Sequence, residues 1–505
     1  MKKEIFSMAI LAMSMCGATL LSSCSSDDPK NEPTPPPTPE IVWTTDGGLK
    51  ACNVLLFDNN VIGNGDKEFV FNGKQTLKKG TYTLKGWVYI AKGAELTIEP
   101  GTIIKGDKTT KAALIVERVG KLIAQGTATA PIVFTSAQAP GQRRPGDWGG
   151  IILCGKARNN QTEMQIEGGP RSMHGGNDDA DNSGVLSYVR IEFAGYPFAT
   201  DKEINGLTLG SVGSGTKIDH VQVSYSNDDS YEWFGGTVNC KNLVAFHGWD
   251  DDFDTDNGFS GKVQYGLIIR DPRIADVSQS NSFESDNCAD GATVSPYTTA
   301  VFSNITMVGP IGQDPSFVND ASYINGGNVY PNNGSSLGKF QAAMHIRRSS
   351  RLSCFNSVAI GYPIGMMIDS EKGNTQSVAG KEMQLQNIWL SNVDIVGSDA
   401  NKKYQDNLYD YATKTFDTGK FSFSHTFFES QTGNKVASED LMLTGKSLAG
   451  ANFMPQAGSP LLNAASFMNP LLSVGFEKVN FIGAFNAGSN WLEGWTEFDP
   501  QNAKY

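Results

Sequence analysis

From Gly80 onward, apolar and polar positions alternate in short runs. Tyr82 to Ile90 (YTLKGWVYI) is the first, and Glu95 to Lys105 (ELTIEPGTIIK) follows with a turn at Pro100-Gly101. Ala113 to Val116, Lys121 to Ala124 and Pro131 to Ser136 continue the pattern. A period of two is the signature of a strand with one buried face, and Gly, Pro and Asn between the runs mark turns. Leu186 to Gly195, Ile218 to Ser224, Leu243 to Phe246, Val263 to Asp271, Val301 to Gly309, Leu352 to Tyr362 and Leu385 to Gly397 each read as one more strand-rich stretch. No amphipathic helix of three turns separates them, which excludes doubly wound and barrel α/β folds. The expected architecture is all-β, a stack of coils in one solenoid.

A stack exposes apolar surface and strand edges at both ends, so it needs caps. Residues 41–79, with Trp43, Phe57, Phe69 and Phe71, are expected to form the N-terminal cap. Residues 80–400 form the coils, and 401–505 hold the last coils, an aromatic extension and a closing segment at Asn480 to Trp495. Ala137 to Asp147, Met164 to Ser183, Gln313 to Lys339 and Asn401 to Lys420 read as insertions leaving the corners.

The chemistry concentrates between Asn227 and Asn287. NDDSYEWFGG, GWDDDFDTDNGFSG and SNSFESDN follow one another roughly 22–28 residues apart, about one solenoid turn. Stacking then brings Asp228, Asp229 and Glu232 beside Asp250, Asp251, Asp252, Asp254 and Asp256, with Glu284 and Asp286 next. Carboxylates so placed repel unless a cation, a basic partner or water screens them. Calcium takes six to eight oxygen ligands, so Asp228, Asp229, Glu232, Asp251, Asp252, Asp254 and Asp256 are candidate ligands for Ca2+. The order is neither that of an EF-hand nor that of a nonapeptide calcium repeat, and a polar corner built from Asx turns has the same composition. Tyr231, Trp233 and Trp249 flank the acids. Aromatic faces stack on sugar rings, which suggests a carbohydrate platform. The same residues also suit a core ladder. The scattered histidines form no HxH or HExxH pair, and Arg347, Arg348 and Arg351 read as a solvated strand face.

The strings LTIEPGTIIKG, KLIAQGTATAPIVFTS and DWGGIILCGKA resemble the opening coils of right-handed parallel β-helix proteins of the pectin-lyase-like fold found in Bacteroidetes. Gly458-Ser459-Pro460-Leu461 and the ending FIGAFNAGSNWLEGWTEFDP are similar to the same group of lipoproteins. The resemblance implies a single-stranded right-handed parallel β-helix, and it implies surface lipoproteins that accompany outer-membrane uptake receptors. It also raises polysaccharide hydrolysis or lysis, with Asp228, Asp229, His247 and Asp251 as the residues that would carry it. Against this, the Asn-Thr-Asp, Gly-His-Gly and Arg-Ile-Lys strings of such glycosidases are missing in order; Phe246-His247-Gly248 matches only in part. The leading expectation is therefore non-catalytic binding of a glycan or other macromolecule. A structural or adhesive solenoid is the third alternative.

Charge and address complete the picture. The 505-residue chain carries a net charge of −12, which argues against nucleic acid as partner. Lys2-Lys3 followed by an apolar run to Leu21 reads as a signal peptide. Leu21-Ser22-Ser23-Cys24 resembles a bacterial lipobox, which implies cleavage after residue 23 and acylation of Cys24. Ser25-Ser26-Asp27-Asp28 looks like a surface-export tag, and Pro33 to Pro39 is a polyproline-type tether within 24–40. The expectation is a lipid-anchored, surface-exposed outer-membrane protein. The cysteines beyond residue 24 are odd in number and have no CxxC spacing, so they are expected to be buried small hydrophobes.

Overall fold

The computed structural model describes residues 40–58, 60–161, 164–166, 170–199, 202–327, 338–445 and 451–505. The expected signal peptide, Cys24 and nearly all of the expected tether lie outside them. Residues 41–505 form one compact unit.

Two long sheets run the length of this unit, one of 13 strands and one of 16. In the first, one column of inward residues can be followed coil by coil. It passes through Val88, Leu114, Ile151, Leu207, Tyr231, Phe253, Phe283, Met344 and Met366, each the parallel partner of the next. All nine belong to a single hydrophobic core. The fold is a parallel β-helix. The parallel stack starts earlier than expected: Glu68–Phe71 already pairs in register with Trp87–Ile90, and Lys74–Leu77 with Glu95–Ile98. The antiparallel pair Trp43–Asp46 and Leu49–Cys52 covers that end. The five described cysteines are free and buried.

A third run of strands, Lys74–Leu77, Glu95–Ile98 and Lys121–Gln125, merges into the second sheet at Gly184–Glu192. The first half of that long strand pairs with Lys121–Gln125 and the second half with Ile132–Ser136. Tyr188 divides the halves with a φ of 52°. His220, Asn242, Tyr265, Asn304, Asn356 and Asn387 occupy the same register position and also have positive φ. Each long strand is thus two strands bent at one left-handed residue. Asparagine tolerates that backbone better than other non-glycine residues, which accounts for four of the seven.

The C-terminal end is closed by the helix Phe423–Ser430, packed on Ile395–Ser398. Phe427 and Phe428 enter the core, and the Asp399 carboxylate accepts from the Phe423 and Ser424 amides at 2.7 and 2.9 Å. Asn480 to Trp495, expected at this end, lies elsewhere. The chain from Ala464 to Tyr505 runs back along the second sheet as a strap. Side-chain amides there act as surrogate peptides. Asn356 pairs in both directions with Ser466 (3.0 and 2.8 Å), Gln264 with Glu477 (2.8 and 2.8 Å) and Gln222 with Glu497 (2.6 and 2.9 Å). Tyr505 ends the strap by donating its hydroxyl to buried Glu192 at 2.7 Å. The Ala503 carbonyl accepts from buried Arg143 at 3.0 Å. This also pins the basic loop at 140–146. Deleting residues 497–505 strips partners from two buried charged groups, and should lower stability by about 3 kcal/mol. Thermal melting of the deletion against the full chain checks this; an unchanged melting temperature would contradict it.

Candidate functional site

The outward column of the first sheet carries the acids. Thr208, Glu232, Asp254, Glu284 and His345 are successive register partners. Strand alternation puts each between two inward residues, so Glu232 faces out while Tyr231 and Trp233 face in. Asp256 and Asp286 continue the same face one step further along their strands. A second column lies in the turn just before the strands. There the Asp229 carboxylate accepts from the Asp251 amide at 2.8 Å, the Asp251 carboxylate from the Asn281 amide, and the Asn281 carbonyl oxygen from the Ala342 amide at 3.0 Å. Each side chain thereby locks the next coil, and each aspartate keeps its second oxygen.

Three carboxylate oxygens, one each from Asp229, Glu232 and Asp254, lie within 4.8 Å of one another. Asp228, Asp229 and Asp250 form a second such group, sharing Asp229. Asp229 and Glu232 are buried, at 7% and 8% exposure. One oxygen each of Asp250 and Asp254 is buried with no hydrogen-bond partner. Asn205 sits on Glu232, donating its amide to that carboxylate, while its own carbonyl oxygen is buried and unpartnered.

Charge follows from this crowding. Burial, then repulsion from the neighbouring acids, holds Asp229, Asp251 and Asp254 well above the usual carboxylate range. Burial and Asp276 push Asp250 up to about 8; burial and Asp286 push Asp256 up to about 8. Glu284 behaves oppositely. Burial would raise it, but Arg347 and His345 override that and hold it at about 2.

Several expected ligands lie elsewhere. Tyr231 and Trp233 are 0% exposed and Trp249 is 1% exposed, so none of them is a sugar platform. Tyr231 stretches across the lumen to the Val221 and Val244 carbonyls (2.7 and 3.0 Å); Trp233 stacks with Phe259 at 5.4 Å. Trp249 packs in a separate cluster with Phe246 and Trp495. Asp252 is not on the acidic face either. It falls in the inward column between Ser230 and Ser282, at 3.4 Å from each hydroxyl, and pairs with Arg270 at 2.9 Å with both side chains fully buried. His247 belongs to the second sheet; its ring meets the Tyr225 hydroxyl at 3.1 Å and Asp271 at 3.5 Å. Asp228, Asp229, Glu232, Asp251, Asp254 and Asp256 do converge, joined by Asp250, Glu284 and Asp286.

Other residues of the site were not anticipated. Arg347 and Arg348 do not sit on a solvated face. Arg347 pairs with Glu284, and with Asp286 at 3.0 Å; Arg348 pairs with Asp286 at 2.6 Å. Arg270 donates to the Asp250 carbonyl at 2.7 Å and the Trp249 carbonyl at 3.2 Å, which fixes the turn that presents Asp250 and Asp251.

The sequence profile of the pectate-lyase like beta helix domain matches residues 70–437. The chain belongs to that family. Among solved structures, pectate lyase Pel9A aligns over 83% of this chain and 88% of its own, with 12% identity and a TM-score of 0.35. The Dettilon tailspike protein gp208 aligns over 66% of this chain and 62% of its own, with 12% identity and a TM-score of 0.24. No curated protein matches by sequence. Family membership accounts for the stacked coils.

Proposed function

We propose that this protein is an outer-membrane lipoprotein, anchored through acylated Cys24 and exposed at the surface, that binds a polysaccharide through a divalent cation held on its acidic face. The carrying observation is the convergence of Asp229, Glu232 and Asp254 from three successive coils to within 4.8 Å. All-oxygen donors of this kind suit a hard cation, and calcium takes six to eight of them. The carboxylates account for part of such a shell, with the Asn205 carbonyl oxygen beside them. The remaining positions suit sugar hydroxyls or the carboxylates of an acidic sugar. A face of carboxyl groups alone offers an acidic polymer no opposite charge, whereas a bound cation bridges the two. The tether then presents the unit beyond the membrane, beside an uptake receptor that takes the glycan onward.

The test is retention on a panel of immobilised polysaccharides with millimolar calcium or with a chelator. Calcium-dependent retention is expected for the full chain, with a loss of tenfold or more for Asp254→Asn. Retention indifferent to both would overturn the reading.

A polysaccharide-cleaving reading has one observation in its favour. Burial, then repulsion from neighbouring acids, lifts Asp229 and Asp251 well above the usual carboxylate range, the direction a general acid requires. His247 cannot assist them from the second sheet. Release of new reducing ends from a retained polysaccharide would favour this reading over binding alone.

A further inference from the structure

The acidic face is not uniform along its length. Among the described residues, no Lys, Arg or His nitrogen lies within 4.0 Å of the carboxylates of Asp229, Asp250, Asp251 or Asp254. One coil later the pattern reverses. Glu284 and Asp286 meet three cationic side chains from the strand Ala342–Ile346 and the turn after it. Arg347 reaches both acids, Arg348 reaches Asp286, and the His345 ring faces Glu284. His345 is the decisive group. It is 0% exposed, and neither ring nitrogen has a hydrogen-bond partner. Glu284 stands 3.6 Å from Nδ1 and Asp369 stands 3.7 Å from Nε2. These distances are too long for hydrogen bonds, yet each nitrogen has a carboxylate in front of it. A neutral imidazole would turn a lone pair toward one of those carboxylates, whereas an imidazolium satisfies both.

Two carboxylates favour the charged form of this imidazole, and the Arg347 guanidinium on its own coil opposes it. Glu284 faces the ring from the preceding coil and Asp369 from the following one. Arg347 and Arg348 flank it on its own coil. Tyr411 covers it from the hairpin Asn407–Asp410 and Thr415–Phe421 by donating its hydroxyl to Asp369.

We propose that His345 and Arg347 are built-in counter-ions standing where a second metal ion would otherwise sit, so that the face holds divalent cation only at its Asp229–Glu232–Asp254 end. The proposal rests on the cation reading above and deepens it by assigning where the ion stops. The column Glu232, Asp254, Glu284 offers a carboxylate on three successive coils. Both steps are parallel and in register at these carboxylates. The difference is made by side chains of a single turn, His345, Arg347 and Arg348. The same division leaves the Glu284 end neutralised, a surface on which a sugar polymer lies without a second bridging ion.

Calcium stoichiometry tests this, by titration calorimetry on the full chain and on His345→Gln/Arg347→Met, with circular dichroism to verify folding. The unaltered chain is expected to keep calcium confined to the Asp229 end, and the double variant to bind one further equivalent, lost again when Glu284→Gln is added. A folded double variant with unchanged stoichiometry would overturn the proposal. Should the double variant not fold, Glu284→Gln alone decides. Calcium affinity within about threefold of the unaltered chain supports the division, because Glu284 is then engaged by the protein's own cations. A loss of tenfold or more shows that Glu284 ligates the ion, and the proposal fails. If the unaltered chain binds no calcium at all, the cation reading itself falls. An equivalent gained only by the double variant would then still establish the counter-ion role, and no gain would refute it.

Discussion

Arg270→Met is expected to destabilise the protein by about 3–5 kcal/mol, the range for removing one partner of a buried ion pair. Arg270 and Asp252 are both fully buried, 2.9 Å apart inside the coil stack. Without the guanidinium, Asp252 keeps only the hydroxyls of Ser230 and Ser282 at 3.4 Å. Burial already holds Asp252 at about 6 against the pull of Arg270, so removing the arginine drives it to take up a proton. The same change frees the Asp250 carbonyl and leaves the Trp249 carbonyl with Ser280 alone, which loosens the turn that presents Asp250 and Asp251. Calcium affinity should therefore fall together with stability. Adding Asp252→Asn should recover part of the stability and none of the affinity. Urea unfolding and calcium titration of the three proteins separate these effects. A single variant within about 0.5 kcal/mol of the unaltered chain, the range of ordinary surface substitutions, would mean the pair is not seated as described.

Without calcium, stability should fall as pH rises from 5 to 8, and calcium should flatten that slope. Asp250 and Asp256 have folded-state values of about 8, above the ordinary carboxylate value near 3.8. A group raised in this way binds its proton more tightly when folded. Its contribution is complete below the unfolded value and is lost as pH climbs through the folded one. Asp229, Asp251 and Asp254 are raised as well and act in the same direction. A tenfold gain in proton affinity on folding is worth about 1.4 kcal/mol, so even part of the gain at these aspartates amounts to roughly 3 kcal/mol across the window. Glu284 works against them. Held at about 2 by Arg347 and His345, it contributes stability above its unfolded value near 4.5 and loses it as pH falls toward 2. Burial also holds His174 at about 3 and His247 at about 4, so both add stability as pH rises toward 6.5. The metal-free fall should therefore be steepest between pH 6.5 and 8. A cation favours the ionised carboxylates and supplies the missing charge, so the calcium form should be most stable near neutrality. Melting curves from pH 3 to 9, with chelator and with calcium, check both slopes. A metal-free protein whose melting temperature rises between pH 5 and 8 would contradict the account.

Much of the fold is legible in the sequence, because a period of two repeated over many short runs admits few architectures. The acidic clusters are legible for the same reason: their spacing is one coil, so stacking brings Asp229, Glu232 and Asp254 together. Applied strictly, that period also decides Tyr231 and Trp233. They flank Glu232 within one strand, so an outward glutamate forces both rings inward, and a surface platform beside the acid was never open to them. Asp252 is harder to read. It differs from Asp251 only by where the turn becomes strand, and its partner Arg270 comes from the other sheet. His345 and Arg347 were hidden by the insertion between Glu284 and their strand. Once Phe283-Glu284-Ser285-Asp286 is set against Met344-His345-Ile346-Arg347, the pairing of acid with base is immediate. The strap was invisible because its partners are single amides, Gln222, Gln264 and Asn356, scattered over the chain and matched to backbone groups rather than to side chains.

The proposed cation, held by Asp229, Glu232 and Asp254, organises the acidic face. Anomalous diffraction from crystals of the protein grown with a lanthanide in place of calcium tests it most directly. A peak is expected about 2.3–2.6 Å from oxygens of all three side chains. Density at other carboxylates with none at these three would contradict it.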